Sequence, residues 1–333
     1  MSISELTGPL DAETLGDAHT APSFLLPPKR SPARALLAKS YHAVNRRAGF
    51  LRSALRAGDD RYQASRAQHA AQLPALSREH ARILAELSES GVAVRSMQLP
   101  PEVCESARRF TDFLRTTRTQ APCAKTTSHE LALDPTLFKW GLTEDLLDLA
   151  ETHIGLPPRY LGVEVKREML NPAAGHTHYA VRRWHVDHED RRIFKVIVYL
   201  SDVDSTSGPF GYLDLATSGT VLAGLGRASR SRHIDERVRA DVPLSRQHQV
   251  TGPAMTGVYV DTGRVVHRVV PPTESERYSV TFAYCSRKPF LTYAQLMLPK
   301  PALRSLCADL SARQVEALCV KPRHRARKRW GDT

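Results

Sequence analysis

Between Tyr160 and Cys285 the chain reads as a run of short β-strands, and no other feature limits its fold as much. YLGVEVKREML (160–170), HTHYAVRRWHVD (176–187), IFKVIVYLSDV (193–203), TGVYVDTGRVVHRVV (256–270) and RYSVTFAYC (277–285) are rich in Val, Ile, Tyr and Phe and are separated by turn residues. Segments with helical periodicity precede them. Residues 76–90 carry apolar positions at helical spacing, with Ser77 as cap and Gly91 as stop before a short strand at Val92–Val94. Residues 100–118 begin with prolines that suit a first helical turn, and 144–155 forms a further helix. Helices followed by many short strands predict an α+β protein built on a β-barrel or jelly roll. The connection 219–252 is long, contains a helix around Arg230–Arg239, and is of a length often given to functional lids. Residues 301–320 read as one C-terminal helix.

The net charge of +12 is concentrated at the ends. Residues 29–66 hold ten Lys or Arg against two Asp, and 321–333 hold six against one, so the body between them is nearly neutral. The expected layout is a flexible lead and basic helix over 1–66 (helical from 31 to 55), a main domain over 67–300 with its β core at about 159–290, a helix at 301–320 and a basic tail at 321–333. Basic flanks suit an anionic partner such as nucleic acid or anionic lipid, or simply solvated ends. Five cysteines without a C-x-x-C pair argue against a disulfide framework or zinc ribbon and fit a reducing, cytoplasmic setting. The acidic N-terminus lacks the apolar run of a signal peptide, and no stretch approaches the length of a membrane span.

Within the strand run, RRWHVDHEDRR (182–192) contains two overlapping His-x-Asp pairs. On a strand, residues two apart share a face, so His185 and Asp187 project together and can occupy adjacent positions on a divalent cation. A second histidine would complete a 2-His-1-carboxylate triad, the arrangement of non-haem Fe(II) oxygenases. His267, which ends a strong β pattern far along the chain, is the candidate. The same triad could hold Zn or Mn in a non-catalytic, cupin-like protein. A hairpin centred on Pro272 would set Arg277 directly opposite His267, with Ser279 following on that face. An Arg–Ser pair there suits a short dicarboxylate chelated to the metal at its other end. Lys195 either reaches that anion or an anionic substrate group, or marks the exposed start of its strand. His176, His178 and Tyr179 either line the mouth of the barrel or are ordinary loop residues.

WHVD, FKVIVYLSDVDSTSGPF, His267 and the ten-residue step to Arg277 and Ser279, preceded by the Leu-rich helix and GVAV, together resemble the Fe(II)/2-oxoglutarate-dependent dioxygenases, within them the phytanoyl-CoA dioxygenase-like (PhyH-like) group. The resemblance covers about 76–290. It implies a double-stranded β-helix core of jelly-roll, cupin-like type with flanking helices. It implies iron held by His185, Asp187 and His267, and 2-oxoglutarate held by Arg277 and Ser279. The matching W-H-x-D frame favours His185/Asp187 over His188/Asp190, which leaves His188, Glu189 and Asp190 in a turn, solvated or paired with Arg191 and Arg192. The implied reaction consumes O2 and 2-oxoglutarate, releases succinate and CO2, and hydroxylates an unactivated C–H bond of a small organic substrate, anionic or a natural product. Asp187 favours hydroxylation over halogenation, because related halogenases have a small residue there. An oxygenase acting on a macromolecule or glycolipid held by the basic flanks is the second reading. One departure stands out: relatives follow the Gly-Pro turn with a P-G-S-H type loop, whereas Asp214 and Ser218 occupy this region here.

Overall fold

The alternation of branched apolar residues after Pro158 is realised as two antiparallel sheets. The computed structural model describes residues 49–119, 121–170, 180–223, 225, 231–289 and 296–319, with side chains from residue 57 onward except at 180 and 231. Nine strands are present among them: β1 Val92–Ser96, β2 Cys123–Lys125, β3 Pro158–Glu168, β4 Phe194–Tyr199, β5 Phe210–Tyr212, β6 His248–Val250, β7 Thr256–Asp261, β8 His267–Val269 and β9 Arg277–Ser286. Six pair in the order β1-β7-β4-β9-β3-β2 and three in the order β6-β5-β8. The result is a mixed fold of helices and antiparallel sheets.

Each face of the larger sheet has its own chemistry, set by the two-residue period of the strands. Val163, Val165, Val196, Val198, Val280 and Phe282 turn to one face and are buried against helix residues such as Leu87, Leu114, Phe138 and Leu147. The other face is apolar toward its β1–β7 end, where Val92, Ile197, Tyr199, Val258 and Val260 form one cluster with Phe210 and Val250 of the smaller sheet. Toward β3 and β2 the same face carries Glu164, Lys166, Glu168 and Lys125 instead.

The expected helices at 76–90, 100–118 and 144–155 are present as Arg78–Glu89, Pro101–Thr116 and Glu144–Ile154. Ser77 caps the first by accepting from the His80 amide, and Gly91 follows it at φ 83°, a conformation open to glycine. The helix expected around Arg230–Arg239 spans Ser231–Asp241. Of the basic helix expected at 31–55, only the end lies within the described residues, as the start of helix Gly49–His69. The tail 321–333 and the residues His176, His178 and Tyr179 lie outside them. No described helix is long and apolar enough to cross a membrane.

Three expectations are corrected. The C-terminal helix is two helices, Lys300–Leu306 and Ala312–Ala317, because Ser311 and Gln314 form a capping box that starts a new helix. The segment before His185 is not a continuous strand: 180–182 is a 3-10 turn, and successive backbone donors go to different partners. Trp184 N donates to Asp235 Oδ1, His185 N to His267 O and Asp187 N to Thr262 O, so no single ladder forms. Third, β8 and β9 are not a hairpin. β8 pairs with β5 in the small sheet, whereas β9 pairs with β3 and β4 in the large one. Pro271 and Pro272 lack the amide donors a hairpin ladder needs. The chain instead packs on the preceding loop, with Val270 N donating to Pro209 O and Thr273 N to Thr206 O.

Candidate metal centre

His185 and His267 come from segments that cross as an isolated antiparallel bridge, each amide donating to the other's carbonyl at 3.0 and 2.9 Å. This backbone pair brings the two imidazoles to 4.3 Å between ring centroids. Asp187 lies two residues on, and the bond from its amide to Thr262 O turns it back toward them. Thr262 is itself tied to the residue before β4, its amide donating to Ile193 O. The next residue back, Asp261, is fully buried and meets His153 of helix Glu144–Ile154 at 3.0 Å. One ligand atom from each of His185, Asp187 and His267 lies within 4.8 Å of the others.

The hydrogen bonds on the far sides of the rings define which nitrogens are free. His185 Nδ1 lies 2.8 Å from Arg183 O, and His267 Nδ1 lies 2.9 Å from Val265 O. A carbonyl only accepts, so both Nδ1 atoms carry the proton and both Nε2 atoms present a lone pair. Burial, aided by the neighbouring His185, pushes His267 down to about 3, and burial lowers His185 as well. Both rings are therefore neutral at pH 7, the state that ligates a metal. Burial alone would raise Asp187, but Lys195, His267 and His185 outweigh it and hold the carboxyl well below the usual range. Two neutral imidazoles and an ionised carboxylate match the donor set of a facial triad for Fe(II) and similar divalent ions.

The insertion 219–252 supports these three side chains from behind. Ile234 and Val238 of helix Ser231–Asp241 are fully buried in a cluster with Leu213 and with Trp184, Val186 and Val266, the chain neighbours of His185 and His267. The two departures noted in the Gly-Pro loop are structural. Asp214 caps helix Leu215–Leu222 through the Thr217 amide. Ser218 Oγ donates to Leu213 O and accepts from Val266 N, which anchors the residue before His267.

Arg277 and Ser279 start β9 on the inner face and are 2% and 1% exposed. With no hairpin, Arg277 stands opposite Glu168 and not opposite His267. Its guanidinium donates to Gly208 O at 2.5 Å and lies over the Tyr199 ring, while Nε has no partner. Ser279 Oγ is likewise buried without a partner. Both are polar groups that burial leaves unsatisfied on the inner face. The route between these residues and the ligand set passes through aromatic rings: Tyr199 OH accepts from the Phe210 amide, and the Phe210 ring stacks on His267.

Lys195 is not the exposed start of its strand. Its Nζ sits 2.6 Å from Asp187 Oδ2. The second His-x-Asp pair was expected in a turn, solvated or paired with Arg191 and Arg192; Asp190 is not solvated, and the Arg191 amide donates to it. Asp190 is buried and accepts from the Ser286 amide and hydroxyl, which joins the turn to the end of β9. Glu189 is raised to about 7 by burial and by the charge of Asp187.

Sequence reasoning missed the charged row on β3. Glu164, Lys166 and Glu168 alternate with Val163 and Val165, which is readable as a two-faced strand. What the alternation could not tell is that the charged face turns inward, where Lys125 meets Glu164 at 2.6 Å and Lys166 meets Glu168 at 2.8 Å.

Among solved structures the chain is similar to HygX from Streptomyces hygroscopicus, crystallised with nickel and 2-oxoglutarate bound, at 18% identity over 66% of this chain and 90% of that one, with a TM-score of 0.46. It is similar to the non-haem alpha-ketoglutarate-dependent carbocyclase SnoK from nogalamycin biosynthesis at 15% identity over 71% and 91%, with a TM-score of 0.47. The corresponding values for the epimerase SnoN from the same biosynthesis are 16% over 63% and 84%, and 0.44. No protein-family model matches the chain, and no curated protein matches it.

Proposed function

We propose that this protein is an Fe(II)- and 2-oxoglutarate-dependent oxygenase with a double-stranded β-helix core, hydroxylating a C–H bond of a small organic substrate. The observation that carries the reading is the convergence of His185, Asp187 and His267 with both Nδ1 atoms anchored and both Nε2 atoms free. Three protein donors leave further positions on a six-coordinate ion open, as oxygenase chemistry requires. Bound together, Fe(II) and 2-oxoglutarate supply the oxidative decarboxylation that turns O2 into an oxidant of unactivated carbon, with succinate and CO2 as co-products.

The residues present fit both groups. The buried, partnerless Ser279 Oγ and Arg277 Nε offer two donors where a distal carboxylate would otherwise lose its hydration. Gly208 O and the Tyr199 ring hold the guanidinium in place. Lys195 keeps Asp187 ionised and adds a positive charge beside the ligand set, where it attracts the carboxylate of a keto acid. The protein's part in the reaction is to fix these donors before the substrate arrives and to keep the inner face of the sheet away from bulk water.

Anaerobic addition of Fe(II) and then 2-oxoglutarate to the purified protein should give a weak visible charge-transfer band, and a triggering substrate should release succinate. Asp187→Ala is expected to abolish both. A fully active, iron-loaded Asp187→Ala enzyme would remove the triad assignment. A parent protein that binds the metal but never yields succinate would be a cupin-like binding protein.

A further inference from the structure

The inner end of β3 holds an excess of buried positive charge that the assignments above leave without a role. Lys166 and Glu168 are two residues apart and share the inner face. Their partners across the β3–β9 ladder are Ser279 and Arg277, respectively. Glu168 is fully buried and is the carboxylate among three cations: Lys166 Nζ at 2.8 Å, Arg182 Nη2 at 3.9 Å, and Arg277 opposite in register. Lys166, Arg182 and Arg277 hold Glu168 ionised against the opposing effect of its burial. Lys166 also stands directly across the β2–β3 ladder from Lys125, which pairs with Glu164 at 2.6 Å. Its side chain retains 11% exposure, whereas that of Glu168 retains none. Directly across from it, Ser279 Oγ has no partner.

Resting on the reading of the site as a 2-oxoglutarate site, we propose that Lys166 is a third positioning residue for the cosubstrate's distal carboxylate, and that Glu168 occupies Lys166 as an internal counter-anion until that carboxylate arrives. A carboxylate entering beside Ser279 would take up the excess charge that one glutamate leaves. The four-carbon stem of a lysine can swing from Glu168 toward Ser279 without moving the strand. Glu168 would then keep Arg277 and Arg182 company, so that no buried carboxylate is left uncompensated.

The test is an anaerobic titration of Fe(II)-loaded protein with 2-oxoglutarate, followed by the charge-transfer band, together with a separate measurement of Fe(II) affinity. Lys166→Met should raise the 2-oxoglutarate Kd about 10-fold or more, as expected for loss of a hydrogen bond to a charged group. Fe(II) affinity should stay within about twofold of the parent, and Lys166→Arg should recover most of the loss. Glu168→Gln, which frees Lys166 without removing volume, should tighten 2-oxoglutarate binding about threefold or more. The proposal is overturned if Lys166→Met binds 2-oxoglutarate within twofold of the parent. Should Lys166→Met fail to fold, Glu168→Gln decides alone, and unchanged or weaker binding in that variant rejects the proposal. A parent protein that shows no band rejects the oxygenase reading itself, and this inference with it.

Discussion

At the scale of single residues, the site depends on protonation states set by burial. His267 is held near 3 and His185 is lowered, whereas a histidine in the unfolded chain titrates near ~6.5. Between those values the unfolded chain binds more protons than the folded one, so stability rises with pH across that window. The metal-free protein should therefore lose stability as pH falls below about 6.5, and continue to lose it toward the folded value. Glu189, raised to about 7, works in the opposite sense over the same range, so the test is made in a Glu189→Gln background: urea midpoints there should drop between pH 7.5 and 5, and His267→Gln should flatten that slope. The opposite slope would mean that the imidazoles are not buried in neutral form. Asp187 contributes no competing trend in this range, because Lys195 keeps its carboxyl ionised far below it.

Among the elements, those that hold the triad are mostly not the segments that carry it. Asp187 is placed by a relay from helix Glu144–Ile154: His153 to Asp261, then Thr262, whose carbonyl accepts from the Asp187 amide. Removing one partner of a buried pair leaves a charge or dipole without compensation, so Asp261→Ala is expected to cost about 3–5 kcal/mol in chemical denaturation. Metal affinity should fall with it, since Thr262 loses its anchor. His267 is placed by Ser218, whose hydroxyl bridges Leu213 O and Val266 N within the cluster around Trp184. Ser218→Ala leaves both backbone groups buried and unpaired, for a loss of about 1–3 kcal/mol. It should weaken Fe(II) binding more than 2-oxoglutarate binding measured at saturating Fe(II). An equal effect on both would show that Ser218 acts on the whole fold.

Across the molecule, both ends of the described chain meet on one helix. Helix Gly49–His69 reaches Glu151 through His69 at 2.7 Å. Arg313 of the last helix pairs with Glu144, Asp148 and Glu151 of the same helix. That helix also carries His153, so the clasp and the Asp187 relay share one rigid element. Arg313 is about a third exposed, which screens its ion pairs; Arg313→Ala is expected to lower stability by about 1 kcal/mol, a shift of roughly 2–4 °C in Tm. A shift beyond 10 °C would mean that the C-terminal helices carry part of the fold's cooperativity.

Local chemistry makes much of this legible in the sequence. Caps at Ser77 and Gly91, the alternating strands, and the spacing of His185, Asp187 and His267 are encoded within a few residues of one another or in ligand chemistry that few other residue types provide. Pairing between distant segments was not legible. The period of a strand says which side chains share a face, but not which strand lies beside it or whether the polar face meets water or an interior. For that reason Arg277, expected against His267, stands against Glu168; Asp190, expected in solvent or paired with Arg191 and Arg192, is buried on Ser286; and the charged face of β3 gave no sign of turning inward. Those outcomes depend on how two sheets close on each other, a property of the whole chain that no short segment contains.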